Sequence, residues 1–125
     1  MNAGEQVRRA VMGNDFVDRA LSGADDFSRP LQEYINEHCW GAVWTREGLD
    51  RRTRSLLTLG MLVALKMPQE LKGHIRGALN NGATIAEIRE TLLHSAAYAG
   101  TPAAVDAFRA AREVLAEIGQ RQQPI

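Results

Sequence analysis

Hydrophobic residues in this chain recur at helical spacing, and polar, glycine and proline positions punctuate the recurrences. In "PQELKGHIRGALNNG", residues 68 to 82, Leu71, Ile75 and Leu79 share one face at 100° per residue, while Gln69, Lys72, Arg76 and Asn80 point the other way. Pro68 opens this predicted helix and Gly82 closes it. Thr84 and Glu87 form a capping box for "IAEIRETLLHSAAYA", which Gly100 stops. Thr101-Pro102 supplies an N-cap and first-turn proline to a last helix that ends at Gly119, and Asp50 precedes "RRTRSLLTLGMLVALK". Upstream, Ser28-Arg29-Pro30 starts a helix running to about Val43, and "EQVRRAVM" and "DFVDRAL" read as two short ones. Alternating β-branched runs of strand type are absent from the sequence, so the expected fold class is all-α with short connections. Residues 1–119 are expected to form a single domain, and 120–125 a disordered tail.

One segment departs from amphipathic patterning. Between Asp50 and Lys66, Leu56, Leu57, Leu59, Met61, Leu62, Val63 and Leu65 occupy every angular sector, and such a helix must be covered on all sides. A small domain has difficulty doing this alone, which favours a homo-oligomer; a central position in a monomer would serve equally well.

Fifteen basic residues balance fifteen acidic ones, so no charge excess invites nucleic acid or anionic lipid as a partner. Charges interrupt the N-terminal stretch where a signal peptide would be apolar, and no apolar run approaches a membrane span; the expected location is cytoplasmic. Cys39, the chain's one cysteine, has no C-x-x-C partner for dithiol chemistry.

Candidate chemistry sits on the border of the 68–82 helix. Glu70 and His74 lie there four residues apart, together with Asn81, and Gly77 and Ala78 leave space beside the imidazole. A carboxylate one turn before a histidine favours the imidazolium and could poise a proton near neutral pH. On a solvated helix the same pair contributes only a few tenths of a kcal/mol. No H-E-x-x-H or C-x-x-C run completes a metal set. Trp40 and Trp44 share one helical face, as core residues usually do, and could instead wall a pocket for a flat substrate. Arg51, Arg52 and Arg54 crowd the positive end of a helix dipole and need a reason; Arg54, nearest the apolar part, is the candidate for a ligand carboxylate. Tyr98, one turn beyond His94, is a further hydrogen-bond donor.

Taken in order, "GEQVRRAVMG", "WGAVWTREGLD", "TRSLLTLGMLVAL", "ELKGHIRGALNNG" and "EIRETLLHSAAYAGTPAAVDAFRAAREVL" resemble the 4-carboxymuconolactone decarboxylase family over roughly residues 4 to 119. The resemblance implies an alkylhydroperoxidase D-like helical bundle of about six to seven helices, assembled as a homo-oligomer, commonly a hexamer. It implies cofactor-independent decarboxylation of γ-carboxymuconolactone, a dicarboxylate lactone, to the enol-lactone of β-ketoadipate in protocatechuate catabolism. His74 and Glu70 are then the catalytic pair, and Arg54, Trp40, Trp44, Tyr98 and Asn81 bind substrate. Peroxidase-type members of the wider superfamily use C-x-x-C-x-x-x-H; this chain has Met67 and Glu70 in the cysteine positions and Ser55 where a proton-relay glutamate usually lies, so thiol chemistry is not expected. Ala42 stands in W-G-x-V-W where members often carry an acid, and Ala99 follows Tyr98 where a cysteine is common.

Overall fold

The computed structural model describes residues 2–121, and among them every regular element is helical: α1 (Ala3–Met12), α2 (Asn14–Ser22), α3 (Arg29–Tyr34), a π-helix (Ile35–Trp44), α4 (Arg51–Ala64), α5 (Pro68–Asn80), α6 (Ile85–Ala99) and α7 (Thr101–Arg121). The all-α expectation holds. Helix α7 continues two residues past Gly119 to Arg121, and the rest of the expected tail lies outside the described residues. The chain divides into two compact units, with the boundary inside α4 between Arg54 and Ser55.

In the first unit, α1 packs along the π-helix and α3 leads into it. Asn2 caps α1 by accepting from the Glu5 amide at 2.7 Å. Val7, Val11 and Met12 from α1, Val17 from α2, and Trp40 and Trp44 from the π-helix make one buried cluster. The helix expected from residue 28 to 43 is present but changes winding: after Tyr34 its backbone bonds run from N–H(i) to the carbonyl of i−5 over ten residues. Thr45 ends it by donating its hydroxyl to the Gly41 carbonyl at 2.6 Å.

In the second unit, α5 and α6 both pack on α7 and on each other. Alanines dominate the α7 face, Ala103, Ala107, Ala110 and Ala111 with Val114, so backbones approach closely around Leu59, Val63, Leu71, Ile75, Ile88 and Leu92. Lys72 pairs with Glu113, and Arg76 with Glu117 at 2.6 Å, so the polar face of α5 is fastened to α7. These pairs are half-exposed and contribute about 1 kcal/mol or less each.

Helix ends follow the sequence signals closely. Asp50 accepts from the Thr53 amide at 2.7 Å, Thr84 and Glu87 complete a reciprocal capping box, and Pro68 occupies the first turn of α5. At the other end of α5, Gly82 adopts φ 91°, while the Ala83 amide donates to Ala78 and the Gly82 amide to Leu79. This is a Schellman stop, and only glycine takes that φ without steric cost. Along α4 and just past its end, Leu57, Met61 and Leu65 remain 51%, 55% and 68% exposed, so one apolar stripe is left uncovered by the described residues.

Candidate functional site

The register that turns Leu71, Ile75 and Ala78 into the core also fixes His74 on the shoulder of α5 and places Asn81 two turns further along. His74 is half-buried, and its Nδ1 is shielded from solvent. Burial lowers the imidazole pKa below the ordinary histidine value, because removing water penalises the charged ring. Desolvation thus favours the neutral ring. This corrects the expectation that Glu70 holds it as imidazolium: the Glu70 side chain faces solvent, where water screens its charge, and desolvation decides the shift. In the first turn of α5, Glu70 is instead well placed to favour the helix dipole. Gly77 and Ala78, expected to leave open space beside the ring, are themselves buried.

Asn81 has a defined partner. Its Nδ2 donates to Ser55 Oγ at 2.9 Å, and Ser55 is fully buried on α4. The resemblance marked Ser55 only as a substituted relay position; its pairing with an asparagine 26 residues away becomes visible only when α4 and α5 are placed. Ser55→Ala should leave a half-buried amide without that acceptor and cost about 1–3 kcal/mol. A lower denaturation midpoint at unchanged slope is the expected reading; an unaltered midpoint would mean that the bond contributes nothing net.

The other sequence candidates are distributed differently. Trp40 and Trp44 are buried in the first unit at 4% and 7% exposure, with ring centroids 4.8 Å apart, so the core reading of the pair holds there. Arg54 is half-buried, and its Nη2 donates to the Arg46 carbonyl at 3.1 Å, steadying the segment that follows the π-helix. Tyr98 is 83% exposed and stacks at 5.2 Å on His94. Both line an apolar groove of about 590 Å³ between α4 and α6, with Leu57, Gly60 and Met61, and neither His74, Glu70 nor Asn81 contributes to it. Within the second unit the structure thus joins Asn81 to Ser55 and keeps His74 on the same helix as Asn81, while Tyr98 belongs to another surface. Among the described residues no cluster of three or more His, Cys, Asp or Glu side chains is arranged to hold a metal ion, and no helix is long and apolar enough to cross a membrane.

The profile of the carboxymuconolactone decarboxylase family matches residues 29–113. A 4-carboxymuconolactone decarboxylase of Acinetobacter baylyi is 43% identical over 116 residues, 93% of this chain and 87% of the relative. A nitrosuccinic acid decarboxylase of Metarhizium robertsii is 52% identical over 105 residues, 84% of this chain and 73% of the relative. A 4-carboxymuconolactone decarboxylase of Pseudomonas putida is 50% identical over 40 residues, 32% of this chain and 83% of the relative.

Proposed function

Since the chain belongs to the carboxymuconolactone decarboxylase family, a carboxy-lyase family, we propose that it decarboxylates γ-carboxymuconolactone to β-ketoadipate enol-lactone, without a cofactor. The observation that carries the reading is a half-buried imidazole at His74, its Nδ1 shielded from solvent, inside the segment "ELKGHIRGALNNG".

In the lactone, the departing carboxylate sits on a ring carbon vinylogous to the ring carbonyl. The electron pair of the breaking C–C bond moves through the double bond into that carbonyl, carbon dioxide leaves, and a dienolate remains. Three tasks follow: hold the other carboxylate, stabilise the developing oxyanion, and protonate the α-carbon. The imidazole can donate an N–H to the oxyanion without water competing for the bond. A dianionic substrate beside His74 raises the ring's proton affinity, so binding draws in the one proton that the α-carbon later receives. Glu70 then serves as a secondary orienting group at the rim, and Asn81, oriented by Ser55, as a substrate donor. Arg54 is assigned the retained acetate, because clamping the departing carboxylate would oppose its conversion to neutral carbon dioxide.

The identity to the nitrosuccinic acid decarboxylase favours a second substrate reading. Nitrosuccinate poses the same chemical problem: one carboxylate is lost into an electron sink, here a nitro group that becomes a nitronate; a second is retained; carbon is protonated. Ala42 in W-G-x-V-W keeps the choice of substrate open. Purified protein supplied with each acid separately, with carbon dioxide release followed alongside the lactone's ultraviolet absorbance, distinguishes them. Turnover of the lactone with stoichiometric gas release is expected. Turnover of nitrosuccinate alone would transfer the assignment to the second acid, and inertness toward both would remove it.

The proposal extends to a homo-oligomer, a hexamer in the reading from resemblance, acting in the cytoplasm with no nucleic acid or membrane partner. The uncovered stripe Leu57, Met61 and Leu65 supports self-association, since burying it in a second copy removes apolar surface from water. Sedimentation equilibrium should give a multiple of the 13.8 kDa chain mass; a monomer at micromolar concentration would contradict this.

A further inference from the structure

Arg8 is the most deeply buried charge among the described residues of the first unit, at 5% exposure, and no carboxylate there lies within ion-pair distance of it. A guanidinium withdrawn from water normally keeps a counter-anion, because leaving a desolvated charge unpaired is strongly unfavourable. Here Nη1 donates to two neutral acceptors, Gln32 Oε1 and Asn36 Oδ1, each at 2.9 Å, while Nε is buried without a partner. Burial correspondingly lowers the Arg8 pKa, and the nearest groups that offset it are Cys39 and Glu5, of which Glu5 is engaged by Arg9 at 3.1 Å.

The two amides have only one way to satisfy Arg8. Their oxygens must face the guanidinium, so their NH2 groups face away from it. Gln32 and Asn36 both line a cleft of about 770 Å³ in the first unit, bounded also by Gly4, Gly41, Ala42 and Arg29. Asn36 is only 6% exposed, and no described protein group accepts from its Nδ2. A buried amide donor is thus directed at a cleft with a fixed positive charge behind it.

We propose that this cleft is a subsite for the carboxylate group of a small organic acid, received by Asn36 Nδ2 and Gln32 Nε2 and balanced by Arg8. The carboxylate supplies the missing counter-charge through the two polarised amides, which act as relays rather than as acceptors left idle. Glu5, Glu33 and Glu37 also line the cleft, against Arg29, and limit the ligand to a small acid, since a polyphosphate or polyanion would meet their repulsion.

Titrating the ¹⁵N-labelled full chain with succinate at constant ionic strength, against sodium chloride as control, tests this. Saturable shifts of the Asn36 and Gln32 side-chain NH2 resonances are expected with succinate and not with chloride. Arg8→Met should weaken the succinate response at least tenfold. If that variant does not fold, Gln32→Leu, which leaves Arg8 and Asn36 in contact, should weaken it at least threefold. Side-chain resonances that stay in place up to 50 millimolar succinate, or move equally with chloride, would overturn the proposal and leave Arg8 as a tether between α1 and its neighbours. Because the readout is at Asn36 and Gln32 and not turnover, its failure is separable from failure of the decarboxylase reading.

Discussion

Replacing His74 by glutamine is expected to lower turnover by about two to four orders of magnitude, the range for removing a proton-transfer group or an oxyanion donor. Glutamine keeps most of the side-chain volume at this half-buried position, so the fold should persist and the loss should fall on kcat more than on KM. Alanine should lose at least as much activity and some stability. The same substitution has a pH signature. Burial holds the folded-state pKa of His74 below the ordinary value near 6.5, so on acidification the unfolded chain takes up its proton first. Stability from the neutral ring is therefore complete above about 6.5 and is lost as pH falls through the lower, folded value. His74→Gln should flatten that part of the stability profile. A folded variant retaining near-full decarboxylation would take His74 out of the mechanism.

Gly4→Ala is expected to disrupt the first unit. A methyl group on Gly4 would run into the Asn36 carbonyl oxygen, and would come within 2.8 Å of the Gly41 nitrogen and 2.9 Å of the Asn36 carbonyl carbon. All three obstacles are backbone, so no rotamer change relieves them; α1 would have to lift from the π-helix. Overpacking with side-chain neighbours commonly costs about 1–3 kcal/mol, and here the loss should reach or exceed the upper end of that range. Lifting α1 would also separate Arg8 from Gln32 and Asn36 and loosen the cluster around Trp40 and Trp44. Chemical denaturation should show a large fall in midpoint, or loss of tryptophan burial before the main transition. A midpoint within experimental error of the parent chain would mean that the close approach of α1 to the π-helix is not maintained in solution.

What could be read from sequence was whatever is encoded locally. The capping box at Thr84, the proline at 68, the glycine at 82 and the aspartate at 50 act over three or four residues, and their helices begin and end where those residues place them. Stripe residues Leu71 and Ile75 were legible for the same reason. The π-winding from Ile35 to Trp44 was not: it accompanies the approach of Gly4 to Asn36 and Gly41, more than thirty residues away in sequence. The i, i+4 spacing put Glu70 and His74 one turn apart on α5. It could not show that the carboxylate turns to water while the imidazole is desolvated, because burial depends on neighbours that spacing does not specify. The Asn81–Ser55 bond and the role of Arg8 were missed on the same ground; each joins common residue types more than twenty positions apart.

The account rests on a ring that is neutral when the site is empty and gains its proton with the substrate. Titration of the His74 ring resonances by NMR, in the free protein and with a saturating unreactive dicarboxylate, reads both states. The account predicts a pKa below 6.5 in the free protein and a clear rise on binding. A free-protein value at or above 6.5, with no change when the diacid binds, would contradict it.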